Sequence, residues 1–196
     1  MKHILCLCLT ALLCCLLYTG CKQQPASFVQ SAQLSQNEQA LLQLLEIEQQ
    51  LFDFSVQGAK SLSLELFTLE NGSWKPAGSF SGNIDQPSCT GRILCRTDPD
   101  THQISSLAVE NLGSIQRIQP QMESLPAATG YGQSAISGRT DITLEQPVAL
   151  CVLYLNWQQK DAYTHYLPDY ALENPQEIES DAAQLVTLTF SAQPLA

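Results

Sequence analysis

Two histidines and three cysteines beyond the N-terminal segment, His102, His165, Cys89, Cys95 and Cys151, are the residues able to act as bases and nucleophiles. A hydrolase needs such a pair in contact. The spacing gives no sign of it, and a buried, idle thiol is the commoner state of a free cysteine. Gly130-Tyr131-Gly132-Gln133-Ser134 sets its serine at the wrong offset for a nucleophile elbow and lacks the closing glycine. HExxH, P-loop and GxGxxG patterns are absent from the sequence. Asp98, Asp100 and His102 alternate as D-x-D-x-H, a pattern that could hold a metal. A turn explains it better, because Pro99 presets φ and Asp98 and Thr101 can satisfy turn amides. Glu173, Glu177, Glu179 and Asp181 lack the spacing and the glycine of a calcium loop. The thiols with His102 and His165 lack zinc-ligand spacing. The sequence therefore predicts no catalytic residue, no metal site and no cofactor.

Aromatic residues carry the one pattern with a binding character. Tyr154, Trp157, Tyr163, Tyr166 and Tyr170 are interleaved with Asp161, His165 and Asp169. Aromatic faces can stack on the C–H surfaces of sugars while carboxylates take the hydroxyls. Trp157, Tyr163, Tyr166 and Tyr170 are thus candidate ligand-binding residues for a glycan or small solute, with Trp74 as a further contributor. The competing reading is that Tyr154 is core and the loop tyrosines pin a long connection onto the domain.

Charge narrows the partners. The chain has nine basic and 19 acidic residues, a net charge of −10. An excess of that sign repels phosphate backbones and anionic headgroups, which argues against nucleic acid and against polybasic membrane docking.

The N-terminus has the form of an export signal. Met1-Lys2-His3 precedes Ile4–Leu17, 14 residues without a charge, and the composition turns polar at Lys22. At 1.5 Å per residue that run covers about 21 Å, short of the roughly 30 Å of hydrocarbon a spanning helix crosses. It suits a removable signal peptide over residues 1–20. Removal takes Lys2 and no acid, leaving eight basic residues against 19 acidic, or −11. Thr19-Gly20-Cys21 resembles the lipobox of bacterial lipoproteins, although Tyr18 stands where that motif usually has Leu. The resemblance implies cleavage before Cys21 and diacylation of its thiol, with palmitate-like chains. Two acyl chains anchor a protein stably where one is marginal. The expected location is the extracytoplasmic face of the cell membrane.

After export, Cys89, Cys95 and Cys151 remain, an odd number that cannot all pair within one chain. Cys89 and Cys95 could pair only if Thr90-Gly91 turned the chain, since an extended segment of that length separates them by about 20 Å.

Residues 21–35 read as the lipidated cysteine and a flexible tether, and residues 36–196 as a single ectodomain. Ser35-Gln36-Asn37-Glu38 matches a capping box, and Ala40, Leu41, Leu44, Leu45 and Ile47 follow at helical spacing, predicting a short helix packed on the domain. From Leu51 the period is two. Phe52, Phe54 and Val56 alternate with polar residues, as do Leu62, Leu64 and Leu66. Asn71-Gly72 is a favoured type I′ hairpin pair. A second hairpin joins RILCRT to HQISSLAVE through Asp98–Thr101. DITLEQ is expected to pair with ALCVLYLNW, and QLVTLTF to form the last strand. Residues 119–138 read as a long loop, and residues 158–183 as a connection that holds a short helix or carries function. The fold class is mainly β, an antiparallel β-sandwich of about 7–9 strands with one short N-terminal helix.

FDF (52–54), GAKSLSLELFTLENGSWK (58–75) and LTFSAQPL (188–195) resemble ectodomains of uncharacterised predicted lipoproteins of Gram-positive bacteria. The resemblance implies location and a β-rich domain, and no activity. The expected function is a surface-anchored, non-enzymatic module for protein interaction or envelope assembly. The alternative is a glycan- or solute-binding module built on residues 154–170.

Overall fold

The computed structural model describes residues 27–45, 47–111, 114–119, 128–157 and 165–195. Two antiparallel sheets face one another as a β-sandwich. The first contains β1 (Phe28–Ser31), β2 (Gln49–Gln57), β5 (Ser88–Thr97), β6 (Ile104–Asn111), β7 (Ser114–Ile118) and β9 (Arg139–Asp141), in the order β7-β6-β5-β2-β1-β9. The second contains β3 (Ser61–Glu70), β4 (Ser73–Asn83), β8 (Gly130–Ala135), β10 (Val148–Asn156) and β11 (Ala182–Ser191), in the order β4-β3-β11-β10-β8.

The period-two strands point as expected. Phe52, Phe54 and Val56 of β2 and Leu62, Leu64 and Leu66 of β3 enter the space between the sheets. There they meet Ile93 and Cys95 of β5, Leu107 and Val109 of β6, Leu153 and Leu155 of β10, and Leu188 and Phe190 of β11. Asn71 and Gly72 have φ of 49° and 71°, the two positive values a type I′ turn requires, and Glu70 pairs with Ser73 across them. At the second hairpin, Asp98 Oδ1 accepts from the amides of Asp100 (3.0 Å) and Thr101 (2.8 Å) and from the Thr101 hydroxyl. D-x-D-x-H is therefore a turn, with Asp98 as its internal acceptor.

Four expectations differ from the structure. Phe28–Ser31, inside the stretch read as tether, is a strand between β2 and β9, with Val29 fully buried. DITLEQ does not pair with ALCVLYLNW. Arg139–Asp141 pairs with β1 in the first sheet, and the chain then crosses to β10 in the second. Gly130–Ala135, inside the expected loop, is an edge strand hydrogen-bonded to β10. Lastly, α1 (Gln36–Leu44) has its capping box, with the Ser35 amide donating to Glu38 Oε2 (2.8 Å) and the Glu38 amide to Ser35 Oγ (3.3 Å), yet it buries no residue. Leu41, Leu44 and Leu45 are 55%, 80% and 55% exposed.

The sheets differ in what covers them. β10 is buried along its whole length because it has neighbours on both faces. Its inner face joins the main core, and Ala149, Val152 and Tyr154 face outward into a second cluster with Ala183, Leu185 and Ala171. A bulge between Ala149 and Cys151 turns both Leu150 and Cys151 to the core. The cover on that outer face is α2 (Pro168–Glu173) with the single 3-10 turn Pro175–Glu177, so the 158–183 connection does hold a short helix. The outer face of the first sheet has no such cover among the described residues.

Candidate functional site

Of the residues singled out for binding, Cys21 and Tyr163 lie outside the described residues. Tyr166, Tyr170 and Trp157 are placed, and the first two serve the cover of the second sheet. Tyr154 donates its hydroxyl to the Tyr166 carbonyl (3.0 Å), and Trp74 Nε1 donates to the Ala171 carbonyl (2.9 Å). The Tyr166 hydroxyl donates to the Glu177 carbonyl (2.9 Å), and its ring stacks on Tyr170 at 5.3 Å. Tyr170 is 41% exposed, but its hydroxyl is bonded to the Glu177 carboxylate. That hydrogen bond, which only the protonated phenol can donate, holds the Tyr170 pKa above its ordinary value. Burial pushes the Tyr154 phenol up as well. Trp157 packs against the main core and its amide donates to Asp181 (2.7 Å). The cluster uses its aromatic faces and hydroxyls to pin residues 165–178 to β10 and β11.

The candidate nucleophiles and bases are separated by the fold. Cys89 and Cys95 both lie in the extended strand β5, so Thr90-Gly91 makes no turn and the two cannot bridge. All three thiols are free and buried. A hydrogen bond between Cys95 and Cys151, and then burial, raise the Cys95 pKa well above the ordinary range. Burial raises that of Cys89. His165 packs against Gly132, where a Cβ would strike the ring, and meets Tyr154 edge-on, outside the sheet whose inner face carries Cys151. The His102 ring stacks on Tyr131 at 3.9 Å. Among the described residues no group of three acidic, histidine or cysteine side chains could hold a metal.

The face that sequence reading did not single out is the open one. Cross-strand register places its outward residues in three rows. Gln49, Arg96 and Ser106 form one row, and Leu51, Leu94, Ala108 and Arg117 the next. Asp53, Arg92, Glu110 and Ile115 form the third. The result is a groove of about 270 Å³ with a floor of Leu51, Leu94 and Ala108, bordered by Arg92, Arg96, Arg117 and one carboxylate, Glu110. Ile115 is 63% exposed on one side. Ile47, just after α1, lines the other side, and Glu38 of α1 lies 3.8 Å from Arg92, so α1 borders the groove.

The three arginines are not equivalent. Arg92 donates to Asp53 (2.7 Å) and lies 3.8 Å from Glu38 of α1, so its charge is matched. Arg96 and Arg117 are exposed and form no ion pair among the described residues. Arg96 acts on Asp98 only through its field. The chain has four arginines, and three of them border this one groove.

The signal that could have found the face is Leu94. It alternates with Arg92 and Arg96 in GRILCRT, so an apolar residue stands on the solvent side of a period-two strand. No helix among the described residues is long and apolar enough to cross a membrane. No family model, curated protein or solved structure matches the chain.

Proposed function

We propose that this chain is a lipoprotein held at the extracytoplasmic face of the cell membrane by acylated Cys21, with a non-enzymatic sandwich that docks another envelope protein. The observation that carries this reading is the asymmetry of the sandwich. One outer face is covered over β10 and β11 by its own α2 segment, while the other leaves Leu51, Leu94 and Ile115 beside arginines, with Glu38 of α1 at 3.8 Å from Arg92. An apolar patch rimmed by polar and charged residues is the form that protein-interaction sites take. The signal-like residues 1–20 and Thr19-Gly20-Cys21 support the anchored location. The glycan reading draws less support, because Trp74, Tyr154 and Tyr166 are engaged in packing and hydrogen bonds within the domain.

Photo-crosslinking in intact membranes tests the docking. A photoreactive residue replacing Ser106, in the groove, is expected to give a discrete protein adduct that Leu94→Glu abolishes. The same label at Tyr170 should give none. Adducts of equal yield from both positions, or none from position 106, would contradict the docking face. Cys21→Ser should release the chain from the membrane fraction, and retention there would contradict the anchor.

A further inference from the structure

On the reading that the open face of the first sheet docks a partner, we infer that the partner presents an extended acidic segment, two carboxylates four residues apart with an apolar side chain between them. The register sets this spacing. Arg96 on β5 and Arg117 on β7 are two strands apart and offset by one outward-facing step, since Arg96 pairs with Ser106 and Arg117 with Ala108. Strand spacings of about 4.8 Å and a rise of about 3.3 Å per residue put their Cα atoms about 12 Å apart. An extended segment carries side chains i and i+4 on one face at about 13 Å, with i+2 between them. The strip between the two arginines is Leu94, Ser106 and Ala108, which suits one apolar side chain.

Charge selects the sign. Asp53 and Glu38 already match Arg92, and Glu110, the carboxylate that also lines the groove, stands opposite Arg92 and acts on it, which leaves Arg96 and Arg117 as the two lining cations with no ion pair among the described residues. A guanidinium takes a carboxylate through two parallel hydrogen bonds. At −10 the whole molecule repels an acidic partner at long range. Salt screens that repulsion beyond about 8–10 Å, while contacts at the groove persist. The size selects the kind of ligand. At about 270 Å³ and open to solvent, the groove lies below the roughly 300–1,000 Å³ of pockets that enclose small molecules. Two free cations also fall short of the roughly four to eight that mark recognition of anionic lipid.

The test uses the full chain in non-ionic detergent and the fluorescein-labelled probe Ser-Ser-Glu-Ser-Leu-Ser-Glu-Ser-Ser, followed by anisotropy. Saturable binding is expected, weakened about tenfold or more by Arg96→Glu with Arg117→Glu, as for close charge pairs at interfaces. That double variant should instead bind the probe with lysines in place of its glutamates. An unchanged melting temperature of the variant shows that the fold is intact. Equal binding of acidic and basic probes, no effect of the arginine changes, or arginine-dependent binding to phosphatidylglycerol vesicles without binding of the acidic probe would each overturn the inference. If the adduct from position 106 persists while the acidic probe fails, docking stands and this chemistry falls. Loss of both removes both.

Discussion

Cys95 on β5 and Cys151 on β10 are each 1% exposed, and their thiols meet across the interior of the sandwich. Cys89 donates to Asn111 Oδ1 (3.2 Å) and is equally buried. A thiol reacts as its thiolate, and burial holds all three away from solvent. In the native protein at neutral pH, Cys89, Cys95 and Cys151 should resist an aromatic disulfide reagent, then titrate together once the chain is unfolded in guanidinium. Fast labelling of any of them in the folded state would contradict the placement. Asp98 supplies a second prediction. The Thr101 amide, its hydroxyl and the Asp100 amide hold the Asp98 carboxyl below its ordinary value. A group whose pKa is lowered on folding stabilises the fold above its unfolded value, about 3.9, and loses that effect as pH falls through the folded value. Asp98→Ala should therefore lower the melting temperature at pH 7. The difference should shrink below about pH 3.9. A difference independent of pH would contradict the assigned role.

At the scale of elements, legibility followed whether a segment's state is set by its own residues or by its partners. Asn71-Gly72 and Asp98-Pro99 carry their turns in their backbones, and both hairpins formed as read. Gly72→Ala places a Cβ at φ 71° and should cost about 1–2 kcal/mol, measured by denaturant unfolding. The alternation of FDFSV marked a strand with one open face. β10, covered on both faces, has the unbroken apolar run ALCVLYL that such a strand requires, a pattern read in the sequence only as a strand. Phe28–Ser31, Gly130–Ala135 and Arg139–Asp141 are short or glycine-bearing, and they are strands because β2, β10 and β1 offer hydrogen bonds to them. No local period announces such strands. For α1 the capping box told where the helix begins, but an amphipathic pattern does not name its partner. Since α1 buries nothing in its own chain, Leu44→Ser should leave the melting temperature within about a degree of the parent, because exposed substitutions usually change stability by under 0.5 kcal/mol. It should also reduce the crosslink from position 106. A drop in stability with the crosslink intact would show that α1 serves the fold alone.

For the whole molecule, what could not be read from the sequence is the joining of distant residues into one surface. Arg96 and Arg117 lie on β5 and β7 with β6 between them, and they meet on one face only through the β5–β6–β7 register. The aromatic cluster, by contrast, was plain in the sequence, but its use depended on whether β10 needed an outer cover. It did, and Tyr154, Trp74 and Tyr166 supply that cover together with α2. One outer face is covered over β10 and β11 and the other is open, in a chain of net charge −10, and the open one is assigned to docking. Hydroxyl-radical footprinting of the protein in native membranes, compared with the purified full chain, tests it most directly. Protection is expected at Leu44, Leu51, Leu94 and Ile115 in the membranes, with Tyr170 oxidised equally in both. Equal oxidation of the groove residues in both states, or protection at Tyr166 and Tyr170 instead, would contradict docking through the first sheet.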